Sequence, residues 1–159
     1  YKNMGLFFNE TWGWDVTKRH HTLVTVTDGL SQTILVTENV RTGYDPSDPT
    51  ANWSSSFPLL TSFYIGNPCD GRPCDDANVD YTRCNSGDNA INSGLKKPEG
   101  RSSVPNSWHF GGVNVALCDG RVIFLNEDVH GAIYAAYVSP AGVDLGGSAL
   151  EQPSVKPLE

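Results

Sequence analysis

The chain has 159 residues, 38% of them hydrophobic, which suits one domain built around one core. Its 18 acidic residues outnumber the 11 lysines and arginines, for a net charge of −7, and the basic residues are scattered. This distribution excludes the clustered positive surface that nucleic-acid binding requires. No stretch reaches the roughly 20 apolar residues of a membrane span, and no signal-peptide pattern is present. Because the chain begins at Tyr1, we expect it to be part of a longer precursor.

The first predicted elements lie in residues 22–39. Residues 22–27 are β-branched and nearly alternating, which predicts a strand that ends at Asp28-Gly29. A turn or a single helical turn follows, and residues 34–39 form the return strand. Glu38, at the end of an apolar run, needs a partner. We expect a salt bridge or hydrogen bond with His109 or Arg41, and the alternative is a catalytic acid.

Residues 42–101 are rich in Asp, Asn, Ser, Gly and Pro and are interpreted as a loop-rich insertion. Within it, Asp76, Asn78 and Asp80 match the first three ligand positions of a calcium loop. Tyr81 and Gly87 occupy the positions where a helix-loop-helix calcium site has Gly and Glu. The insertion is therefore either a calcium site or a solvated loop.

Two apolar runs, residues 113–118 and 121–125, are separated by Asp119-Gly120, which predicts a hairpin with a two-residue type I′ turn. That turn would pair Leu117 with Val122. One face would then hold Val115, Leu117, Val122 and Phe124, and the other Ala116, Cys118, Ile123 and Leu125. Since both sets are apolar, we expect both faces to be covered.

A helix is predicted over residues 126–137, with Asn126 as its N-cap. Its buried stripe would consist of Val129, Ile133, Ala136 and Tyr137. Ser139-Pro140 would end the helix, and residues 141–159 read as an extended tail. The predicted fold class is α+β, with an antiparallel sheet backed by at least one helix in a single domain spanning residues 1–159.

Two sequence blocks carry a resemblance to a known family. His109 precedes Asp119-Gly120 by nine intervening residues, and Ser107, Gly111, Gly112 and Asn114 complete the pattern S-x-H-x-G-G-x-N-x-x-x-x-D-G. Upstream, the block from Asp28-Gly29 to Glu38 resembles D-G-x-S-N-T-I-L-x-x-E, with Gln32 in place of Asn. The chain thus resembles the prepilin-type proteins, abundant in planctomycetes, that carry the H-x9-D-G motif.

The resemblance implies a pilin-like or pseudopilin-like head whose N-terminal helix is missing from this chain. Such a head would be a structural subunit of an extracellular or cell-surface filament or secretion assembly, with the periplasm as the alternative location. It would have no catalytic activity, would associate with itself or related subunits, and would reach the membrane only through the missing helix. His109 would act as a latch, tying its loop to Glu38 or to a backbone carbonyl. The alternative is a module that binds a glycan or small solute through Trp12, Trp14, Trp53 and Trp108.

The four cysteines form no C-x-x-C pair and lack zinc-site spacing. In an exported protein, their even number favours two disulfides, Cys69 with Cys74 and Cys84 with Cys118. The competing interpretation is a set of free buried thiols.

Overall fold

The computed structural model describes residues 22–43, 47, 63, 65–69 and 79–140 of the chain. Three strands form one antiparallel sheet in the order β1-β2-β3. They are β1 (Ile34–Thr37), β2 (Gly112–Leu117) and β3 (Val122–Asn126), followed by the helix α1 (Gly131–Val138). Short 3-10 helices lie at Leu23–Thr25, Leu30–Gln32, Tyr81–Asn85, Gly87–Asn89 and Ser93–Lys96. The sheet with its helix confirms the predicted α+β class.

The core lies between one face of the sheet and α1. It is a single cluster of buried side chains: Ile34, Ile91, Val113, Val115, Leu117, Leu125, Tyr134 and Tyr137. The helix packs against the 3-10 helix Tyr81–Asn85, so this part of the predicted insertion contributes to the packed domain. None of the helices in the described ranges is both long enough and apolar enough to cross a bilayer.

The hairpin between β2 and β3 differs from the prediction by one residue. Ala116 pairs with Val122 and Val115 with Ile123, so the loop has three residues, 118–120. Gly120 donates its N–H to Leu117 O at 2.9 Å and has a φ of +87°, while Asp119 has no positive φ. This is the type I turn followed by a left-handed glycine that commonly closes three-residue hairpins. The predicted type I′ turn was wrong.

A one-residue shift in register moves every side chain of a strand to the opposite face. Ile123 and Leu125 therefore join Val113, Val115 and Leu117 on the core face, whereas Val122 and Phe124 lie on the other. Val122 is 67% exposed and Phe124 is 50% exposed, so the expectation that both faces are covered was also wrong.

The strand predicted over residues 22–27 is instead a 3-10 turn, Leu23–Thr25. The side chain of Thr25 accepts the Thr22 N–H at 2.9 Å and donates to Thr22 O at 2.9 Å. Threonine side chains that bond to nearby backbone groups in this way compete with sheet pairing. The single helical turn predicted next is confirmed as Leu30–Gln32, and β1 stops at Thr37, two residues before the predicted end.

The N-cap of the helix lies four residues later than predicted. Asn126 ends β3, and its side-chain oxygen accepts the Asp128 N–H at 2.7 Å in a local turn. The N-cap is His130, whose Nδ1 accepts the Ala132 N–H at 3.3 Å. Tyr134 is buried and Ile133 is 42% exposed, so the helix turns a different face to the core than predicted. The predicted stop at Ser139 is confirmed, and the predicted tail, residues 141–159, lies outside the described residues.

Candidate functional site

Where β1 ends, side chains replace backbone groups as the hydrogen-bond partners of β2. Beyond Thr37, the carboxylate of Glu38 accepts the backbone N–H of Asn114 at 2.8 Å through Oε2. The Thr37 hydroxyl donates to the Asn114 carbonyl at 3.4 Å. A second Glu38 oxygen, Oε1, accepts the Asn114 side-chain amide at 3.1 Å. The side chains of Thr37 and Glu38 thus satisfy the backbone C=O and N–H of Asn114, which a longer β1 would otherwise pair.

His109 completes this arrangement. Its Nε2 lies 3.4 Å from Glu38 Oε1, and its ring meets the Phe124 ring edge-on, with the centroids 6.5 Å apart. Of the two partners predicted for Glu38, the structure thus provides His109. Arg41 instead donates through Nε to the Leu95 carbonyl at 2.8 Å. We call the set His109, Glu38 and Asn114 the latch.

The electrostatics of the latch favour an ionised carboxylate. Partial burial raises the pKa of Glu38, but the hydrogen bonds from Asn114 together with the charge and hydrogen bond of His109 outweigh it, so the pKa is lowered. The Glu38 side chain is 33% exposed and that of His109 is 56% exposed. Glu38 is therefore an anionic acceptor at neutral pH, and it lacks the raised pKa expected of a general acid.

The loop that carries His109 is fixed by the other residues of the motif. Buried Ser107 donates its hydroxyl to the Gly112 carbonyl at 2.7 Å and accepts the His109 N–H at 3.1 Å. Gly111 has a φ of +83°, and a Cβ on Gly112 would lie 2.1 Å from Leu125 O. The two glycines are thus required by a left-handed turn and by close contact with β3.

The two Asp-Gly segments of the motif blocks meet at the hairpin turn. The Asp119 N–H donates to Leu30 O at 3.1 Å, and the Arg121 guanidinium donates to Ser31 O at 3.1 Å. Gly29, with a φ of +101°, starts the 3-10 turn that presents these carbonyls, and Asp28 donates its N–H to Pro140 O at 3.2 Å. The two Asp-Gly segments therefore both stabilise the hairpin end of the sheet.

Hydrogen bonds from Arg121 to Asp119 lower the pKa of that carboxyl group. The Arg121 N–H and Nε donate to the two carboxylate oxygens at 3.0 and 2.8 Å. The Asp119 carboxylate thus stabilises the turn that joins β2 to β3.

Three asparagines for which the sequence predicted no role, Asn39, Asn92 and Asn106, hold the segment that leads to His109. Asn106, which is fully buried, donates to Asn39 Oδ1 at 2.9 Å and forms a parallel bridge with it. Asn92, with a φ of +67°, accepts the Ser107 N–H at 2.9 Å. Asparagine tolerates positive φ better than most residues, but nothing in the sequence distinguishes Asn92 from the other asparagines.

The predicted calcium ligands are only partly described. Asp76 and Asn78 lie outside the described residues, so the calcium site stays a prediction. Asp80 caps the 3-10 helix Tyr81–Asn85, and its carboxylate accepts the Thr82 N–H at 3.0 Å and the Thr82 hydroxyl at 2.5 Å. These bonds lower the pKa of Asp80. Among the described residues, no group of three or more His, Cys, Asp and Glu is placed to hold a metal ion.

The predicted disulfide between Cys84 and Cys118 was wrong, because both are free thiols. Cys84 lies in the 3-10 helix packed on α1, whereas Cys118 lies in the hairpin turn, so they belong to different parts of the fold. Burial raises the pKa of Cys84 to about 11. Cys69 is fully buried and is not among these free thiols, while Cys74 lies outside the described residues, so that pairing stays a prediction.

The proposed aromatic platform is represented by one residue. Trp108 is 70% exposed, and the Arg41 guanidinium lies 4.9 Å from the centre of its ring. The other three members, Trp12, Trp14 and Trp53, lie outside the described residues.

Comparison with known proteins gives one match. The chain matches, over residues 2–131, the model of a family described as "Protein of unknown function (DUF1559)". No curated protein and no solved structure matches it. Because the matched region covers well over half of the chain, the chain belongs to the DUF1559 family of proteins of unknown function.

Proposed function

We propose that this chain is a non-enzymatic structural subunit, the pilin-like head of an exported filament or secretion assembly. The observation that supports this proposal is that the polar side chains of the motif bond within the chain itself. Glu38, Ser107 and Asn114 direct their polar groups to one another, to His109 and to the chain's own backbone. A motif used in this way stabilises a fold and leaves function to surfaces.

Glu38 and His109, the most reactive pair of groups in the motif, are poorly suited to catalysis. Glu38 already accepts two hydrogen bonds from Asn114 and contacts His109. A carboxylate so occupied has little capacity left for a substrate proton. We therefore assign the latch a positioning role, in which it holds the loop at residues 107–112 against the sheet.

In the proposed assembly, an apolar helix upstream of Tyr1 anchors the subunit, and the described domain is displayed at the cell surface or in the periplasm. The partners are other copies of the chain or related subunits. No cofactor is required, although Asp76, Asn78 and Asp80 would supply oxygen ligands to a calcium ion.

Electron microscopy of the full precursor, expressed with its native upstream sequence and recovered from the cell surface, tests the proposal. We expect filaments or short assemblies with a regular repeat that are labelled by an antibody against this domain. Recovery of the protein only as dispersed monomers would overturn the proposal. Glycan binding that is lost in Trp108→Ala would favour the solute-binding alternative instead.

A further inference from the structure

The two edges of the sheet differ in how they are protected. In the order β1-β2-β3, the strands β1 and β3 lie at the edges. Next to the end of β1, Asn106 donates its N–H to Glu38 O at 3.1 Å and accepts the Val40 N–H at 3.2 Å. The register of β1 also shifts between Ile34 and Val36. A covering segment and an irregular register both keep an edge from pairing with another chain.

The edge of β3 lacks such protection among the described residues. The strand, Val122–Asn126, contains no proline and no charged residue, and its pairing with β2 is regular throughout. Arg121, just before the strand, donates to Asp119 and to Ser31 O, so its charge is held at the hairpin turn. In the described structure β3 is therefore an unprotected edge strand.

The hydrogen-bond pattern shows which backbone groups of β3 point away from the sheet. Glu127 donates its N–H to Gly111 O at 2.8 Å, which marks a hydrogen-bonded pair just beyond the strand. Bonded and non-bonded pairs alternate along an antiparallel ladder, so the odd-numbered residues of β3 bond to β2. Val122 and Phe124 therefore point their N–H and C=O groups outward. No described residue forms a hydrogen bond with these four groups.

We infer that the edge of β3 is a docking site for an extended peptide segment of a partner protein, which would add to the sheet as a further strand. The outward groups of Val122 and Phe124 repeat at about 6.8 Å, the spacing of alternate residues in a strand. Another extended backbone carries donors and acceptors at the same spacing, whereas a sugar or an apolar small molecule does not. Both side chains are exposed, which favours β-branched or aromatic residues at alternate positions of the partner segment. The inference goes beyond the proposed function and does not depend on it, because strand addition requires only a partner that supplies the segment.

Amide exchange of the purified chain, measured by NMR, tests the inference without any substitution. The probe is a short synthetic peptide of alternating valine and threonine, both strong strand formers, with a lysine at each end to complement the net charge of −7. We expect the Val122 and Phe124 amides to exchange fast without peptide and to slow about fivefold at about 1 mM peptide, which corresponds to a Kd of about 0.25 mM. The Ile123 and Leu125 amides, which bond to β2, should be protected in both cases. The same peptide with methylated backbone amides keeps its side chains but loses its donors, so it should have no effect.

Two substitutions at one position separate backbone pairing from side-chain contact. Phe124→Pro removes the outward N–H, and proline is compatible with this edge position because that group does not bond to β2. Phe124→Ala removes the same ring but keeps the N–H. We expect Phe124→Pro to abolish the slowing at Val122, and Phe124→Ala to weaken peptide binding by no more than about fivefold, the size of one cross-strand pair. Retained protection of the Val115 amide would show that the sheet is intact in both variants.

Unchanged exchange at the highest peptide concentration would overturn the inference. Slow exchange of the Val122 and Phe124 amides without peptide would also overturn it, because another part of the chain would then already pair with this edge. Equal slowing by the methylated peptide, or equal binding by the two Phe124 variants, would show that the peptide makes contact through side chains alone, and strand addition would be refuted.

Discussion

Replacing Glu38 by alanine tests whether the latch stabilises the fold. The substitution removes the acceptor of the Asn114 backbone N–H at 2.8 Å, of its side-chain amide at 3.1 Å, and the partner of His109 at 3.4 Å. Hydrogen bonds to charged groups contribute about 1.5–3 kcal/mol each, and a buried donor left unsatisfied costs a similar amount. Because the Glu38 side chain is 33% exposed, water can replace part of this set.

We therefore expect Glu38→Ala to lower the free energy of unfolding by about 2 kcal/mol, the contribution of roughly one such bond, with water replacing the others. Urea unfolding at pH 7, followed by circular dichroism, measures the change. Glu38→Gln retains one acceptor oxygen and should lose about half as much. Glu99→Ala, at an exposed carboxylate, serves as the control. A loss for Glu38→Ala no greater than that of the control would refute the latch.

The difference in stability between wild type and Glu38→Ala depends on pH in a defined direction. Folding lowers the pKa of Glu38 below the ordinary value of 4.5 for a glutamate side chain. The stabilisation is therefore fully present above that value and is lost as the pH falls through the pKa of the folded state. We expect the stability difference between wild type and Glu38→Ala to shrink on acidification. A difference that stays constant or grows under acidic conditions would contradict this assignment.

Three further predictions concern the hairpin, the core and the thiols. Gly120→Val should destabilise the protein by about 1–2 kcal/mol, because a β-branched residue is strained at a φ of +87°. Gly120→Asn should cost less, and equal urea midpoints for the two variants would argue against this turn. Tyr134→Phe should leave stability unchanged or raise it by up to about 1 kcal/mol, because the buried Tyr134 hydroxyl has no hydrogen-bond partner among the described residues. A clear fall in melting temperature would contradict this. Cys118 should react with a thiol reagent at pH 8 faster than Cys84, which is buried and has a pKa of about 11; equal rates in mass-spectrometric labelling would refute this.

Sequence patterns predicted the main elements around the hairpin because these depend on local chemistry. The alternating apolar runs on either side of Asp119-Gly120 identify two strands and a tight turn. They do not decide between two and three loop residues, since Asp-Gly fits both a type I′ turn and a type I turn with a left-handed glycine. The choice was settled by contacts from outside the hairpin, where Cys118 and Asp119 donate backbone N–H groups to Thr33 and Leu30.

The latch was predictable in part for a similar reason. A carboxylate at the end of an apolar strand requires a partner, which led to His109 as a candidate for Glu38. The role of Asn114 depends on where β1 ends, and strand ends are among the least reliable predictions from sequence. The buried network of Asn39 and Asn106 joins positions that are 67 residues apart, so no local pattern reveals it.

Amide hydrogen exchange at Asn114, measured by NMR, is the most direct test of the proposed latch. This amide should be protected in wild type, because Glu38 accepts its N–H at 2.8 Å. In Glu38→Ala it should exchange much faster, while Val115 in the core of the sheet keeps most of its protection. An Asn114 amide that exchanges freely in wild type, or equally slowly in both proteins, would show that Glu38 does not hold this N–H.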